Sequence, residues 1–260
     1  MSKSHIPKPG EFCWTDAGFK DAAAAKKFYR SIFGWKGEDV PMGPGQGAYT
    51  MLRVDGKGSA GLYSMHPDQR KAKMPSFWLP YVAVVSVDRT VKKAKAAGAT
   101  LHKGPMDVMD IGRMAILSDP TGAAFAVWQS RGRPDAMAKA VPGAFCWRDL
   151  NTPDTAAAAK FYGKTFGWKV QVMDFSGISY SMLKLKGEGL GGIWPTPLPK
   201  SPPAWYTYWV VKNCARTVAK AKRLGAKVII GPLTVPETCT FAIIRDPQGA
   251  AFGALQPLVG

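Results

Sequence analysis

The chain has 260 residues, 46% apolar and 20% charged, the proportions of an ordinary soluble globular protein rather than a disordered or fibrous one. No apolar run approaches the roughly 18 residues that a membrane-spanning helix needs. Residues 1–10 are polar with no apolar core of a secretory leader, so a cytoplasmic location and no membrane partner are expected. The formal net charge of +17 favours small anionic ligands and nonspecific adhesion to polyanions. It comes without a zinc-finger, helix-turn-helix or RNP pattern, so no nucleic-acid role beyond nonspecific charge is expected.

In chain order, a short strand at Glu11–Thr15 comes first. A helix follows, opened by Asp21 as N-cap before four alanines, with Phe28, Ile32 and Phe33 as its apolar stripe. Gly34 stops it. Strands at Ala48–Val54 and Gly58–Tyr63 come next, with the Pro/Gly-rich stretch Pro41–Gly47 before them. The order then restarts: strand Trp78–Val85, helix Asp88–Ala97, a stop at Gly98, and three more strands. The last two, Met114–Ser118 and Ala123–Trp128, join at Asp119-Pro120-Thr121-Gly122, which has the residues of a type I turn. The lysines of the second helix, Lys92, Lys93 and Lys95, alternate with apolar residues and read as a solvated face.

The second half repeats the first. Phe12-Cys13-Trp14, Phe28-Tyr29 and Phe33-Gly34-Trp35 recur as Phe145-Cys146-Trp147, Phe161-Tyr162 and Phe166-Gly167-Trp168, each 133 residues on. Asp119-Pro120-x-Gly122 recurs as Asp246-Pro247-x-Gly249, 127 residues on. Solenoid repeats fall at about 20–50 residues, so this period marks a duplicated domain. We divide the chain into a first domain over 8–130, a linker over 131–141, and a second domain over 142–258. Each holds two modules, about 11–64 and 77–129, then 144–195 and 204–256. The four cysteines form no closely spaced pair and read as reduced, mostly buried thiols.

Four such modules, with Phe-Tyr-x-x-x-Phe-Gly-Trp after the first strand and Asp-Pro-x-Gly before the last, resemble the vicinal oxygen chelate superfamily. That superfamily comprises glyoxalase I, bleomycin-resistance proteins and extradiol dioxygenases. The resemblance covers about Gly10 to Pro257 and is similar in detail to two-domain, glyoxalase-related bacterial proteins. It implies an α+β fold of two tandem glyoxalase-like domains, four βαβββ modules, and mixed sheets curled around a ligand cavity. It also implies a divalent metal held by His, Glu or Gln. Carried onto this sequence, those positions fall at Phe12 or Cys13, Gly61, Leu79 and Ala126. In the second half they fall at Phe145 or Cys146, Gly192, Tyr206 and Gly253. They are not the expected ligands, and His5, His66 and His102 have no repeat partners, so no metal residue and no cofactor is predicted.

Strand parity supplies other candidates. Phe12, Trp14 and Asp16 fall on one face, as do Phe145, Trp147 and Asp149. Asp16 and Asp149 are the carboxylates near a strand end in both halves, and are the candidate acid–base residues. Trp14, Tyr49, Tyr63, Tyr81, Trp147, Tyr180, Trp194, Tyr206 and Tyr208 are the candidate ligand-binding residues of an aromatic wall. Two functions stand open. One is a protein binding, or converting without the usual metal, a small aromatic or apolar molecule. The other is a metal-dependent glyoxalase-type lyase or isomerase, or a dioxygenase, whose divalent metal has non-standard ligands. The protein is expected as a monomer with an internal pseudo-dimer or as a homodimer.

Overall fold

The computed structural model describes residues 4–43, 47–132, 136–175, 178–196 and 201–258. Residues 44–46 of the Pro/Gly-rich stretch and 133–135 of the linker lie outside these. The elements of the first half are β1 (Ser4–His5), β2 (Phe12–Phe19), α1 (Ala22–Phe33), β3 (Lys36–Pro41), β4 (Ala48–Val54), β5 (Lys57–Ser64), α2 (Pro67–Lys71), β6 (Phe77–Ala83), α3 (Val87–Ala96), β7 (Thr100–Val108), β8 (Gly112–Ser118) and β9 (Ala124–Ser130). A short β10 (Met137–Ala138) lies in the stretch between the halves and pairs with β1 and β5. The second half holds β11 (Phe145–Thr152), α4 (Thr155–Phe166), β12 (Lys169–Phe175), β13 (Ile178–Leu185), β14 (Glu188–Pro195), β15 (Ala204–Val210), α5 (Cys214–Arg223), β16 (Lys227–Val235), β17 (Cys239–Arg245) and β18 (Ala251–Pro257).

These form two mixed sheets, one per half, in the α+β class. The first runs β1-β10-β5-β2-β6-β9-β8-β7, with β4 and then β3 beyond β5. The second runs β12-β13-β14-β11-β15-β18-β17-β16. In each, the first strand of one module pairs antiparallel with the first strand of the other (β2 with β6, β11 with β15). Each of these four also takes the last strand of its own module in parallel. Among the described residues, no helix is long and apolar enough to cross a membrane.

The helix signals act as expected. Asp21 accepts from the Ala24 amide at 2.9 Å and Asp154 from the Ala157 amide at 2.8 Å. Gly34 and Gly167 end their helices in the left-handed region, at φ 73° and 77°. The lysines Lys92, Lys93 and Lys95 are exposed. Two expectations change. β2 and β11 run to Phe19 and Thr152, so Asp16 and Asp149 stand inside strands and not near their ends. A polar residue mid-strand interrupts the apolar pattern, which is why the strands read as short. β3, entirely partly or fully exposed and rich in charge, carries no apolar alternation to read.

A third correction concerns Phe12. The pairing of β2 with β6 shifts between Phe12 and Trp14, and that of β11 with β15 between Phe145 and Trp147. Such a bulge inserts one residue and re-aims the side chains beyond it. Phe12 therefore leaves the face of Trp14 and Asp16 and packs against Trp168 and Trp205 on the other side, at 5.2 and 5.3 Å between rings.

That other side is where the halves meet. One core unites α1, Trp35 and Trp78 with Trp209, Val218 and Phe252. A second unites Val82, Val91 and Phe125 with Phe161, Tyr162 and Trp205. Each helix of the first modules thus lies on its own sheet and also reaches the opposite one: Phe28 of α1 meets Phe252, and Phe161 of α4 meets Phe125. Burying one such ring contributes about 1.5–3 kcal/mol. Polar bridges follow the same route, with Trp78 donating to Tyr29 at 2.9 Å and Tyr29 to Asp246 at 2.8 Å. Asp246 also accepts the Gln248 and Ala250 amides, the turn role expected of it.

Between the sheets lies Arg148, fully buried. Its guanidinium sits 4.6 Å from the Phe12 ring and 4.0 Å from the repeat-equivalent Phe145 ring. Nη2 donates to the Trp14 carbonyl at 3.1 Å, while Nε and Nη1 have no hydrogen-bond partner. Burial lowers its pKa to about 9. The equivalent residue of the first half is Thr15, whose hydroxyl donates to the Leu79 carbonyl at 3.1 Å.

Candidate functional site

With the helices on the convex side, the concave faces of the sheets are left for the site. On the first, β2 places Trp14 opposite Tyr81 and Asp16 opposite Gly61 and Leu79. The Trp14 indole N–H donates to Asp16 Oδ1 at 2.8 Å and to the Tyr49 hydroxyl at 2.6 Å. The Tyr49 hydroxyl itself donates to Asp16 Oδ1. Tyr81 donates to Asp16 Oδ2 at 2.7 Å. Three of the expected wall residues and the expected acid thus form one cluster around a carboxylate that is 9% exposed.

The second sheet repeats it. Trp147 donates to Asp149 Oδ1 at 3.0 Å and to the Tyr180 hydroxyl at 2.9 Å, and Tyr180 donates to Asp149 Oδ1 at 2.8 Å. Tyr208, opposite Trp147, approaches Asp149 closely enough to favour its charge, but without the alignment of a hydrogen bond.

Glycine at the neighbouring positions is a spatial requirement. A Cβ on Gly61 would lie 1.8 Å from the Tyr49 hydroxyl, one on Gly192 2.0 Å from Tyr180, and one on Gly253 2.1 Å from the Tyr208 ring. The phenols occupy the space that larger side chains would need.

Burial raises both carboxyl pKa values, against the hydrogen bonds that lower them, and brings Asp149 to about 6. Burial and the adjacent carboxylate together hold Tyr49, Tyr81 and Tyr208 well above the usual phenol range. Each cluster is therefore a neutral set of donors around a carboxyl that titrates nearer to neutrality than a free one.

The remaining candidates stand further out. Tyr63 accepts from the Gln69 side chain at 3.1 Å and faces the His66 ring at 5.4 Å, at the rim near α2. Tyr206 lies opposite Asp149, near the charge of Arg245. Trp194 packs edge-on against Phe241 at 6.4 Å, and Phe241 in turn against Tyr208 at 6.0 Å. The thiols of Cys13 and Cys146 point at the carbonyls of Tyr81 and Tyr208, at 3.6 and 3.4 Å. All four cysteines are free, and burial pushes Cys13 up to about 12, which leaves it a thiol at neutral pH.

Asn151 escaped the sequence reading. It follows Asp149 on the concave face, opposite Trp194 on β14, and is 1% exposed. Its equivalent is Gly18, where a Cβ would meet the Phe77 ring at 2.9 Å. The second half has Ala204 in place of Phe77, and so has room for an amide. The signal lay in a difference between the halves and not in what they share.

Comparison with known proteins agrees with this architecture. The model of the Glyoxalase/Bleomycin resistance protein/Dioxygenase superfamily matches residues 14–127 and again 144–253. CFP32 of Mycobacterium bovis, whose name carries the word glyoxylase, is 36% identical over 99% of this chain and 98% of its own length. The anthracycline biosynthesis protein DnrV of Streptomyces peucetius is 32% identical over 95% of this chain and 94% of its own. Among solved structures, the Mn(II)-bound glyoxalase of Novosphingobium aromaticivorans superposes with a TM-score of 0.66 at 18% identity, over 99% of this chain and 84% of that one. The 2,3-dioxygenase LapB of Pseudomonas sp. KL28 gives 0.65 at 13% identity, over 97% and 93%. Two matches to one family model, one per sheet, and relatives aligned end to end make this chain a member of the glyoxalase/bleomycin resistance protein/dioxygenase superfamily.

Proposed function

We propose that the curled sheets bind a small, planar aromatic or apolar molecule, with the Asp16 and Asp149 clusters as the polar floors beneath it. The observation that carries this reading is the indole–phenol–carboxyl cluster itself, built twice from equivalent residues on the concave faces. An aromatic wall with a few convergent polar groups is what such ligands need. DnrV is named for the biosynthesis of anthracyclines, which are planar aromatic compounds, and this supports the same ligand class.

The family's metal is tested by the donors on offer. A divalent ion takes at least three protein ligands, chosen from His, Cys, Asp and Glu in most sites. Each floor offers one carboxyl, already accepting from an indole and a phenol, beside phenols that keep their protons. Among the described residues no three His, Cys, Asp or Glu side chains converge. These donors do not match the Mn(II) of the similar glyoxalase.

One observation favours turnover over binding alone. A carboxyl poised near pH 6 within hydrogen-bonding reach of a phenol is suited to moving a proton on a bound molecule. Titrating planar hydroxyaromatics into the protein while following tryptophan emission tests the reading, because Trp14 and Trp147 belong to the floors. Saturable quenching that weakens at least tenfold in Tyr49→Ala and Tyr180→Ala is expected. Unsaturable quenching, equal in wild type and variants, would sink it.

A further inference from the structure

The second concave face holds a group of buried polar atoms that its aromatic cluster leaves aside. Asn151 Oδ1 and Nδ2, Trp194 Nε1 and Thr196 Oγ1 all lack a hydrogen-bond partner. Asn151 and Trp194 are cross-strand neighbours, and Thr196 follows just past β14, its amide bonded to the Thr152 carbonyl. Nothing comparable occurs at the equivalent places of the first half. Gly18 has no side chain to satisfy, and the Tyr63 hydroxyl is bonded to Gln69. Buried polar groups are almost always partnered, so a cluster of exceptions asks for a partner.

The chemistry of that partner can be read from the atoms. A carboxamide presents one acceptor and one donor side by side in a plane, the indole adds a second donor, and the hydroxyl can do either. The Trp194 and Phe241 rings beside them supply an apolar wall. We infer that the second sheet carries a recognition subsite, made by Asn151, Trp194 and Thr196, for the carboxamide edge of an aromatic ligand. Such an edge offers an acceptor to Asn151 Nδ2 and the indole, and a donor to Asn151 Oδ1. The inference rests on the reading that the concave faces bind aromatic molecules, and adds which face selects and by what group.

Benzamide and ethylbenzene are similar in size and differ in that edge. Calorimetric titration of each into the full chain, wild type and Asn151→Leu, separates the possibilities. Benzamide is expected to bind the wild type one per chain and at least tenfold more tightly than ethylbenzene. Asn151→Leu should lose that tenfold for benzamide and leave ethylbenzene unchanged. The same variant should melt at or above the wild-type temperature without ligand, because it replaces two orphaned atoms with apolar ones of similar volume. Equal affinity of the two probes, unchanged by the substitution, would overturn the subsite and leave aromatic binding standing. A lowered melting temperature in Asn151→Leu would overturn it too, by showing that the amide is satisfied within the fold. If neither probe binds wild type, the aromatic reading fails and the subsite with it.

Discussion

In the first concave face Asp16 accepts from one indole and two phenols, and the position two residues on is Gly18 beneath the Phe77 ring. In the second, Asp149 accepts from one indole and one phenol, Tyr208 stands by unaligned, and Asn151 takes the place of Gly18. The frame is common and the satisfaction is not. The first floor is closed upon itself, as a structural network is. The second leaves polar groups unpaired, each at a cost of about 1–3 kcal/mol, which a stability-driven core would have removed. The halves therefore divide into a floor whose polar groups are satisfied and one whose polar groups are left open.

The largest expected effect that tests this division is in pH. Asp149 has a folded pKa of about 6, above its ordinary 3.8. The folded state then holds a proton that the unfolded chain has lost between about pH 4 and 6. Stability from this group is full below about pH 4 and falls as pH rises through 6, by up to about 3 kcal/mol. Urea unfolding across that range should show the decline, and Asp149→Asn should flatten part of it. A wild-type profile that rises over the same window would break the account of a desolvated carboxyl.

Next comes the packing beside the phenols. Ala126 and Gly253 are equivalent, but a Cβ on Gly253 would run into the Tyr208 ring. Gly253→Ala should cost about 1–3 kcal/mol, the usual cost of overpacking. Ala126→Gly should cost about 1–2 kcal/mol, since it frees the backbone and removes a methyl buried beside Tyr81. A Gly253→Ala variant as stable as wild type by denaturant unfolding would mean that Tyr208 moves freely, and the two faces would be less different than they look.

The smallest effect is the sharpest. Tyr81 donates to Asp16 and Tyr208 has no such bond. Tyr81→Phe should lose about 1 kcal/mol or somewhat more, and Tyr208→Phe should be neutral or stabilising. Matching losses at the two positions would restore the symmetry of the floors.

The sequence carried the architecture well because repetition marks it. Asp21 and Asp154 as caps, Gly34 and Gly167 as stops and the Asp-Pro-x-Gly turns are local devices, and they sit where their chemistry puts them. That Trp14 and Asp16 share a face was legible by strand parity, which needs only alternation, whereas Tyr49 and Tyr81 were legible as aromatics matched in the other half and not as partners of Asp16. Parity failed at Phe12, because a bulge leaves no mark in composition. It also failed to show that α1 and α4 reach beyond their own sheets to the other half, since an apolar stripe states that a helix is buried and not by what. Asn151 stayed hidden because a polar residue in a strand reads as exposed until its neighbours are known.

Arg148 has one more consequence. Its guanidinium lies between two rings, Phe12 and Phe145, that are equivalents of each other. A self-pairing of two identical second halves through this face would bring a second such cation, with no carboxylate to answer either, to the same small space. Like charges in a poorly solvated interior repel strongly. Pairing of two second halves is disfavoured on that ground, whereas a first half offers Thr15 there. A chain cut between the halves is expected to reassemble as an unlike pair, which native mass spectrometry of the mixed halves would check.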